Sequence, residues 1–294
     1  MISTISLSVR PVVREDRQKL ANLIYFGHQI HRHLDWRPPL DWINHQPYLL
    51  AEREGKPIAT LACPPDPPKV AWIRLFAVSD ASFLENSWKL LWENASQQLL
   101  KQNTEQAVAI PLQNWFSNLL IKSGFKVLNR VVILIWEKTK TFPIPKDIEI
   151  RIRPMNFDDL SIVHEIDTMA FELTWQISRL SLESAFRQAA LASVAEIENR
   201  IIGYQISTAD HSGGHLARLA VLPQYQGMGI GLHLVQDLLE QFVRRGVHRI
   251  TVNTQQDNER SLTLYTKAGF RRTQESFPVY QYSLERKEYL QPIN

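Results

Sequence analysis

The sequence holds a single cysteine, Cys63, which excludes an internal disulfide framework and a cysteine zinc cluster and points to a reducing, cytoplasmic setting. It lacks long apolar runs. The longest in the first half, Val131 to Trp136, is far short of the roughly 20 residues that a membrane span needs. No basic segment followed by an apolar stretch opens the chain, because Arg10 interrupts the one candidate, so neither a secretory signal nor a membrane partner is read. Charge of one sign is also scarce: the net charge of +3 is not gathered into a basic block, which weighs against nucleic acid as a partner. Glycine is missing altogether between Gly55 and Gly124. What is present is 294 residues, 44% hydrophobic and 21% charged, enough for two domains that each bury a core.

The two domains read as copies of one another. Val9-Arg10-Pro11, followed by Asp16 and Leu20, recurs 143 residues later as Ile152-Arg153-Pro154, followed by Asp159 and Val163. Glu52, Lys56, Ile58 and Ala59 match Glu196, Arg200, Ile202 and Gly203 at an offset of 144, and Arg74-Leu75 with Ala77-Val78 resembles Arg218-Leu219-Ala220-Val221. Ser123-Gly124-Phe125 matches Ala268-Gly269-Phe270 at 145. So small a drift over more than a hundred positions indicates duplication of a whole domain. The segment Glu137 to Asp147, broken by Pro143 and Pro145, reads as the seam, giving expected domains at 1–140 and 148–294.

In the second copy, Ile148 to Arg153 alternates like a strand, and Asp158 to Phe171 carries Leu160, Val163, Ile166 and Met169 at helical spacing. Leu180 to Leu191 reads as a second helix. Val194 to Ile197 and Ile201 to Ser207 form a hairpin, and His215 to Leu222 is a further strand. Leu232, Val235, Leu238, Leu239 and Phe242 make one apolar stripe on a helix over Gly231 to Arg245, which Gly246 ends. A strand over His248 to Asn253, a helix over Asn258 to Ala268 and a last strand over Phe277 to Leu284 complete a mixed α/β domain.

Between the strand ending near Leu222 and the helix stand Gly227, Gly229 and Gly231, three glycines within five residues. Glycines there permit turns closed to other residues and let a ligand approach the backbone. The helix start adds unpaired N–H groups and a partial positive charge suited to phosphate oxygens. The spacing is not that of a dinucleotide fingerprint, since Leu232 stands where the third glycine belongs, and it lacks the lysine of a P-loop. A purely structural turn is the other reading of the six residues.

Gln226-Gly227-Met228-Gly229-Ile230-Gly231 resembles the Q/R-x-x-G-x-G/A motif of the GNAT acetyltransferase family. Leu219-Ala220-Val221-Leu222-Pro223-Gln224-Tyr225 before it resembles that family's fourth strand and its exit. Asn258 with Ser261-Leu262, Leu264-Tyr265 and Gly269-Phe270 resembles its later motif. The likeness covers residues 148–285 and implies two tandem GNAT-like α/β domains, each a mixed, mostly antiparallel sheet flanked by helices and splayed between its fourth and fifth strands. It implies acetyl-CoA as co-substrate, without a metal. The diphosphate would lie on the backbone of Gln226, Gly227, Met228, Gly229, Ile230, Gly231 and Leu232, and the pantetheine arm along Leu219, Ala220 and Val221. Asn258 and Ser261 would contact the pantetheine or phosphate region.

The resemblance further implies that Tyr265 returns a proton to the departing thiolate; a half-buried aromatic on an amphipathic helix is the plainer reading of that residue. His215, eleven residues before Gln226, is the candidate base, and a solvent-facing strand-end histidine is its plainer reading. Direct attack by a positioned amine needs no covalent intermediate, and Cys63, in the other copy, is not a nucleophile. Some relatives that acetylate protein N-termini carry Glu where this chain has Asn253, which weighs against peptide acceptors and for a small-molecule amine. Glu172, in the exit segment of the first helix, reads as an exposed loop acid or a substrate contact. Either a monomer or a homodimer is expected.

In the first copy the matching loop, Ser79 to Ser87, has no glycine, and Leu120 and Gln113 replace Tyr265 and Asn258. That copy is expected to be non-catalytic and to lack a cofactor site. Its segment His28 to Trp42 is rich in histidine and tryptophan and reads as a loop packed by its tryptophans, with metal binding as the weaker reading. An acyl-CoA sensor or scaffold without turnover is the rival to the enzyme.

Overall fold

The computed structural model describes residues 7–137 and 149–284. The first copy opens with β1 (Ser8–Pro11), α1 (Arg17–Phe26), β2 (Gln29–Arg32), β3 (Tyr48–Arg53), β4 (Lys56–Ala62), β5 (Val70–Trp72) and β6 (Leu75–Val78). It continues through α2 (Leu84–Lys101), β7 (Gln106–Ala109), α3 (Asn114–Lys122) and β8 (Lys126–Glu137). The second copy runs through β9 (Arg151–Pro154), α4 (Leu160–Ala170), α5 (Arg179–Gln188), β10 (Leu191–Ile197), β11 (Arg200–Asp210) and β12 (Gly213–Val221). It closes with α6 (Ile230–Arg244), β13 (Arg249–Gln255), α7 (Glu259–Lys267) and β14 (Arg271–Ser283). The mixed α/β architecture expected from the sequence is the one observed.

The chain forms two compact units, and they do not follow the linear seam. Among the described residues, unit 1 holds 7–128 and 279–284, and unit 2 holds 129–137 and 149–278. Each unit therefore contains the end of the other copy. In unit 2 the strand order is β9-β10-β11-β12-β13-β8, with β8 antiparallel to β13 from Arg249↔Glu137 to Gln255↔Val131. In unit 1 the end of β14 pairs with β7 from Tyr280↔Ala109 to Ser283↔Gln106. The expected domains at 1–140 and 148–294 describe the repeat in the sequence; the compact units differ from them because β8 finds its backbone partner and its apolar neighbours in unit 2. Apart from Glu137, the seam lies outside the described residues, as does Ile148.

The second copy's elements form where the apolar periodicity places them. On α6, Leu234, Val235, Leu238, Leu239 and Phe242 are fully buried, each worth about 1.5–3 kcal/mol in burial. The opposite face keeps Glu240 and Arg244 in solvent, paired across one turn. The hairpin of β10 and β11 turns at Glu198 and Asn199, both left-handed with φ of 48° and 61°. The last strand is longer than expected, starting at Arg271, because the polar run to Ser276 carries no apolar alternation to announce it.

The repeat residues meet in the same ion network twice. In unit 1, Arg10 reaches Asp16 at 2.6 Å and Glu52 at 2.8 Å; in unit 2, Arg153 reaches Asp159 at 2.7 Å and Glu196 at 2.8 Å. Each aspartate also accepts a backbone N–H at the entry to the first helix, from Val13 and Asn156 respectively. The network ties first strand, first helix and hairpin together, which explains why these residues survive duplication.

Candidate active site

In unit 2, β12 and β13 run parallel and pair only at Gly214↔Ile250, His215↔Thr251 and Leu216↔Val252. Just beyond, the β11 to β12 register jumps from Ser207↔Leu216 to Ile206↔Arg218, leaving Ala217 as a bulged residue. A bulge bends and twists its strand, and here the two parallel strands part. Leu219, Ala220 and Val221 pair with Gln205, Tyr204 and Gly203 of β11 and have no strand partner on the β13 side among the described residues. The sheet is thus splayed between the fourth and fifth strands of the copy.

At the open end the chain enters the glycine loop. Gly227 and Gly229 have φ of 81° and 95°, which glycine alone adopts without strain, and space is open where a side chain on Gly227 would stand. Gly229 is the N-cap of α6, and no side chain caps this helix start. Its N–H groups and the positive end of the helix dipole are left for a ligand. Gly231 has another reason: inside α6, a Cβ there would come within 3.1 Å of Leu264 on α7, so it serves helix packing. The Ile230 side chain is core, Leu232 is half-buried, and Met228 is exposed.

Gln226 is pinned from both sides. Its amide donates to the Val221 carbonyl at 2.9 Å, and its carbonyl accepts from Arg260 at 3.0 Å. Arg260 stands in the first turn of α7, where Asn258 is the N-cap and accepts from the Ser261 N–H at 3.1 Å. One turn further, Tyr265 is buried among Trp136, Ala268 and Phe270. Burial pushes its phenol well above the usual range, so it stays protonated, and among the described residues no protein group hydrogen-bonds its hydroxyl.

His215 is half-buried, two residues before the bulged Ala217, with Nδ1 2.9 Å from Thr251 Oγ1. Burial lowers its pKa below 6.5, which leaves the imidazole neutral and able to accept a proton at pH 7. It lines a pocket of ≈ 270 Å³ with Thr251, Asp210 and Arg249. Thus the glycine loop, the open strand edge and α7 adjoin one another, whereas His215 sits on the paired side of the splay. Asn253 is exposed on β13, opposite Ile133 of β8, and Glu172 stands at the entry of the short turn leading to α5.

A cluster not singled out in the sequence lies beside the splay. Asp167 of α4, fully buried, accepts from Tyr204 and from Arg218 Nη2 at 2.9 Å. Arg218 also donates to the Trp175 carbonyl at 2.7 Å and stacks on Phe171 at 4.1 Å, fixing the segment between α4 and α5. Arg218 was visible as the repeat partner of Arg74, but Asp167 is 51 residues away, beyond any local pattern.

In unit 1 the chain itself fills the corresponding places. The strand corresponding to β12 is broken into β5 and β6, and β2 pairs antiparallel with β6 from Gln29↔Val78 to Arg32↔Leu75. Backbone bonds from His28 N to Val78 O and from His33 N to Arg74 O extend the pairing. By the repeat, Ala77 and Val78 match Ala220 and Val221, so a strand of the chain covers positions that stand open in unit 2. The expected loop at His28 to Trp42 is therefore in part a strand. His31 is buried there, its Nε2 3.1 Å from the Ile73 carbonyl and its ring stacked on Phe116.

The helix entry is occupied too. Asp80 accepts from the Ser82 N–H at 2.8 Å, so its own carboxylate sits at the turn leading into α2. Leu120, matching Tyr265, is core. Cys63 is buried in this unit, which pushes its thiol up to about 12 and suppresses the nucleophilic thiolate. No cluster of three metal-ligating side chains is found among the described residues, and none of their helices is long and apolar enough to cross a membrane.

The model of the acetyltransferase (GNAT) family matches residues 160–270, the stretch holding the splay, the glycine loop and α7. The chain is similar to N-alpha-acetyltransferase 30 of Schizosaccharomyces pombe, 35% identical over 92 residues that cover 30% of this chain and 61% of the relative, so it spans less than two thirds of that protein's length. It is similar to the ribosomal protein bS18-alanine N-acetyltransferase of Haemophilus influenzae, 30% identical over 112 residues that cover 38% of this chain and 75% of the relative. Among solved structures, a tandem GNAT protein from the clavulanic acid biosynthesis pathway shares the fold over 96% of this chain and 100% of its own, with a TM-score of 0.64 at 13% identity. With the splayed sheet and uncapped glycine turn of unit 2 lying under the family match, and a relative of that activity matched over most of its length, this chain belongs to the GNAT acetyltransferase family.

Proposed function

We propose that unit 2 transfers an acetyl group from acetyl-CoA to a primary amine of a small molecule, and that unit 1 binds no cofactor. The observation that carries this reading is the uncapped α6 entry at Gly229, reached directly from a strand edge that has no partner beyond Leu216. These features suit the cofactor. Open space above Gly227 and free N–H groups suit a diphosphate, Arg260 adds a nearby positive charge, and the β12 edge from Leu219 to Val221 offers backbone groups to a pantetheine amide. When bound, acetyl-CoA supplies the activated acetyl group.

The chain's residues then orient and move protons. Holding amine and thioester together supplies most of the rate gain, and His215 takes a proton from the amine. Tyr265, protonated and without a protein hydrogen-bond partner among the described residues, donates from its hydroxyl. Tyr265→Phe is expected to lower turnover by about 10²-fold while leaving CoA affinity unchanged; equal turnover would remove it from the mechanism.

Calorimetry of the full chain with CoA tests the binding half: one site per chain is expected, abolished in Gly229→Val, whose branched side chain cannot take φ of 95°. Two sites, or none, would overturn the reading. A thiol-release assay with a panel of amines tests the catalytic half. Peptide N-termini belong in that panel as the second acceptor class, because one similar enzyme is named for the alanine of a ribosomal protein. Tight CoA binding without release for any amine would favour the sensor.

A further inference from the structure

His215 and Thr251 face each other across the parallel pairing of β12 and β13, next to the residues where those strands part. The imidazole Nδ1 is 2.9 Å from Thr251 Oγ1, and that hydroxyl in turn donates to the Gly214 carbonyl at 3.5 Å. A threonine hydroxyl has one proton, so once it points at Gly214 only lone pairs remain for the imidazole. With the hydroxyl proton directed to Gly214, the ring proton sits on Nδ1 and the free lone pair on Nε2. Among the described residues no group hydrogen-bonds Nε2. Both side chains line the pocket shared with Thr208, Asp210 and Arg249, the latter two being its charged members.

We propose that Thr251 is a positioning residue that fixes His215 as the Nδ1–H tautomer, so that Nε2 is the atom that accepts the amine proton. This rests on the reading of His215 as the base. In the step, the amine N–H bond breaks, its electron pair stays on nitrogen, and the proton forms the Nε2–H bond; the imidazolium later returns it to water. Without the threonine oxygen the two tautomers interconvert, and the fraction with a proton on Nε2 cannot act as a base. A histidine held in the wrong tautomer is catalytically poor.

The test is long-range proton–nitrogen correlation NMR on the full chain labelled with ¹⁵N-histidine, His215 being assigned by the signals lost in His215→Gln. The expected wild-type spectrum has a protonated Nδ1 and a bare Nε2 near neutral pH. Thr251→Ser should retain it, and Thr251→Val should move His215 toward Nε2–H. With an acceptor from the thiol-release panel, Thr251→Val should lower kcat by roughly tenfold or more with little change in KM, and Thr251→Ser should restore it. A wild-type Nε2–H signal, or a Thr251→Val spectrum identical to wild type, overturns the role of Thr251. Failure of the underlying reading looks different: the tautomer is as expected, yet His215→Gln keeps full turnover.

Discussion

Unit 1 and unit 2 share an ion network that anchors the first strand, yet they treat the open edge of the sheet in opposite ways. Among the described residues, unit 2 leaves the β13 side of Leu219 to Val221 without a strand partner and the α6 entry uncapped. Unit 1 lays β2 along the matching edge and places the Asp80 carboxylate at the matching turn. The missing glycines are thus one of two differences: in unit 1 the chain's own backbone and its own carboxylate stand where unit 2 is open. An uncovered edge there would expose unpaired backbone groups, and covering them removes that cost.

The largest expected effect breaks the units apart by sequence rather than by structure. A chain of residues 148–294 lacks β8, and with it the partner of β13 and the buried Val132, Leu134 and Trp136 beside Tyr265. It should fail to give a cooperative melt, whereas a chain starting at 126 should recover near-native far-UV circular dichroism and CoA binding. Equal behaviour of the two fragments would show that β8 is dispensable to unit 2.

Next in size is the buried cluster beside the splay. Asp167→Ala leaves Arg218 buried without its carboxylate and should cost about 3–5 kcal/mol of stability, read by denaturant unfolding. The equivalent cut in the more exposed network of unit 2, Arg153→Ala, should cost less, because Arg153 keeps about a fifth of its side chain in solvent.

Acid should separate the units further. Burial lowers the pKa of His31 from 6.5 to about 4, so between those values the unfolded chain binds more protons than the folded one. Stability therefore rises with pH across that window: His31 costs nothing above 6.5 and on the order of 3 kcal/mol once the pH falls to about 4. His31→Phe should flatten the fall in unit 1 stability, followed by tryptophan fluorescence, six of the eight tryptophans lying in residues 7–128. A fall of the same size in the variant would assign the acid sensitivity elsewhere.

The smallest effect sharpens the contrast. Asp80→Gly uncaps the turn before α2 and should lower the melting temperature slightly, yet create no second CoA site, because β2 still covers the edge of β6. A second calorimetric site in that variant would show that the capping carboxylate alone excluded the ligand.

Much of this was legible in the sequence. Apolar periodicity placed α4, α6 and α7 within a residue or two, and the nearly constant offset of the repeat identified the two copies. The glycine spacing located the α6 entry because positive φ and close backbone approach select one residue type. Other features left no local mark. β2 hides in a histidine- and tryptophan-rich stretch whose strand character comes from an edge some 45 residues away. Asp167, Tyr204 and Arg218 meet only in three dimensions. Thr251 becomes meaningful only through the parallel register that sets it opposite His215. Gly231 was visible as part of the motif, but its reason, the approach of Leu264, was not.

The exchange of final strands also bears on how such a chain changes over generations. Because β8 of the first copy pairs with β13 and completes the sheet of unit 2, deleting the first copy would remove a wall of unit 2. The first copy can differ from the second where that copy carries its phenol, its asparagine and its glycines, whereas the dozen residues of β8 answer to the fold of unit 2.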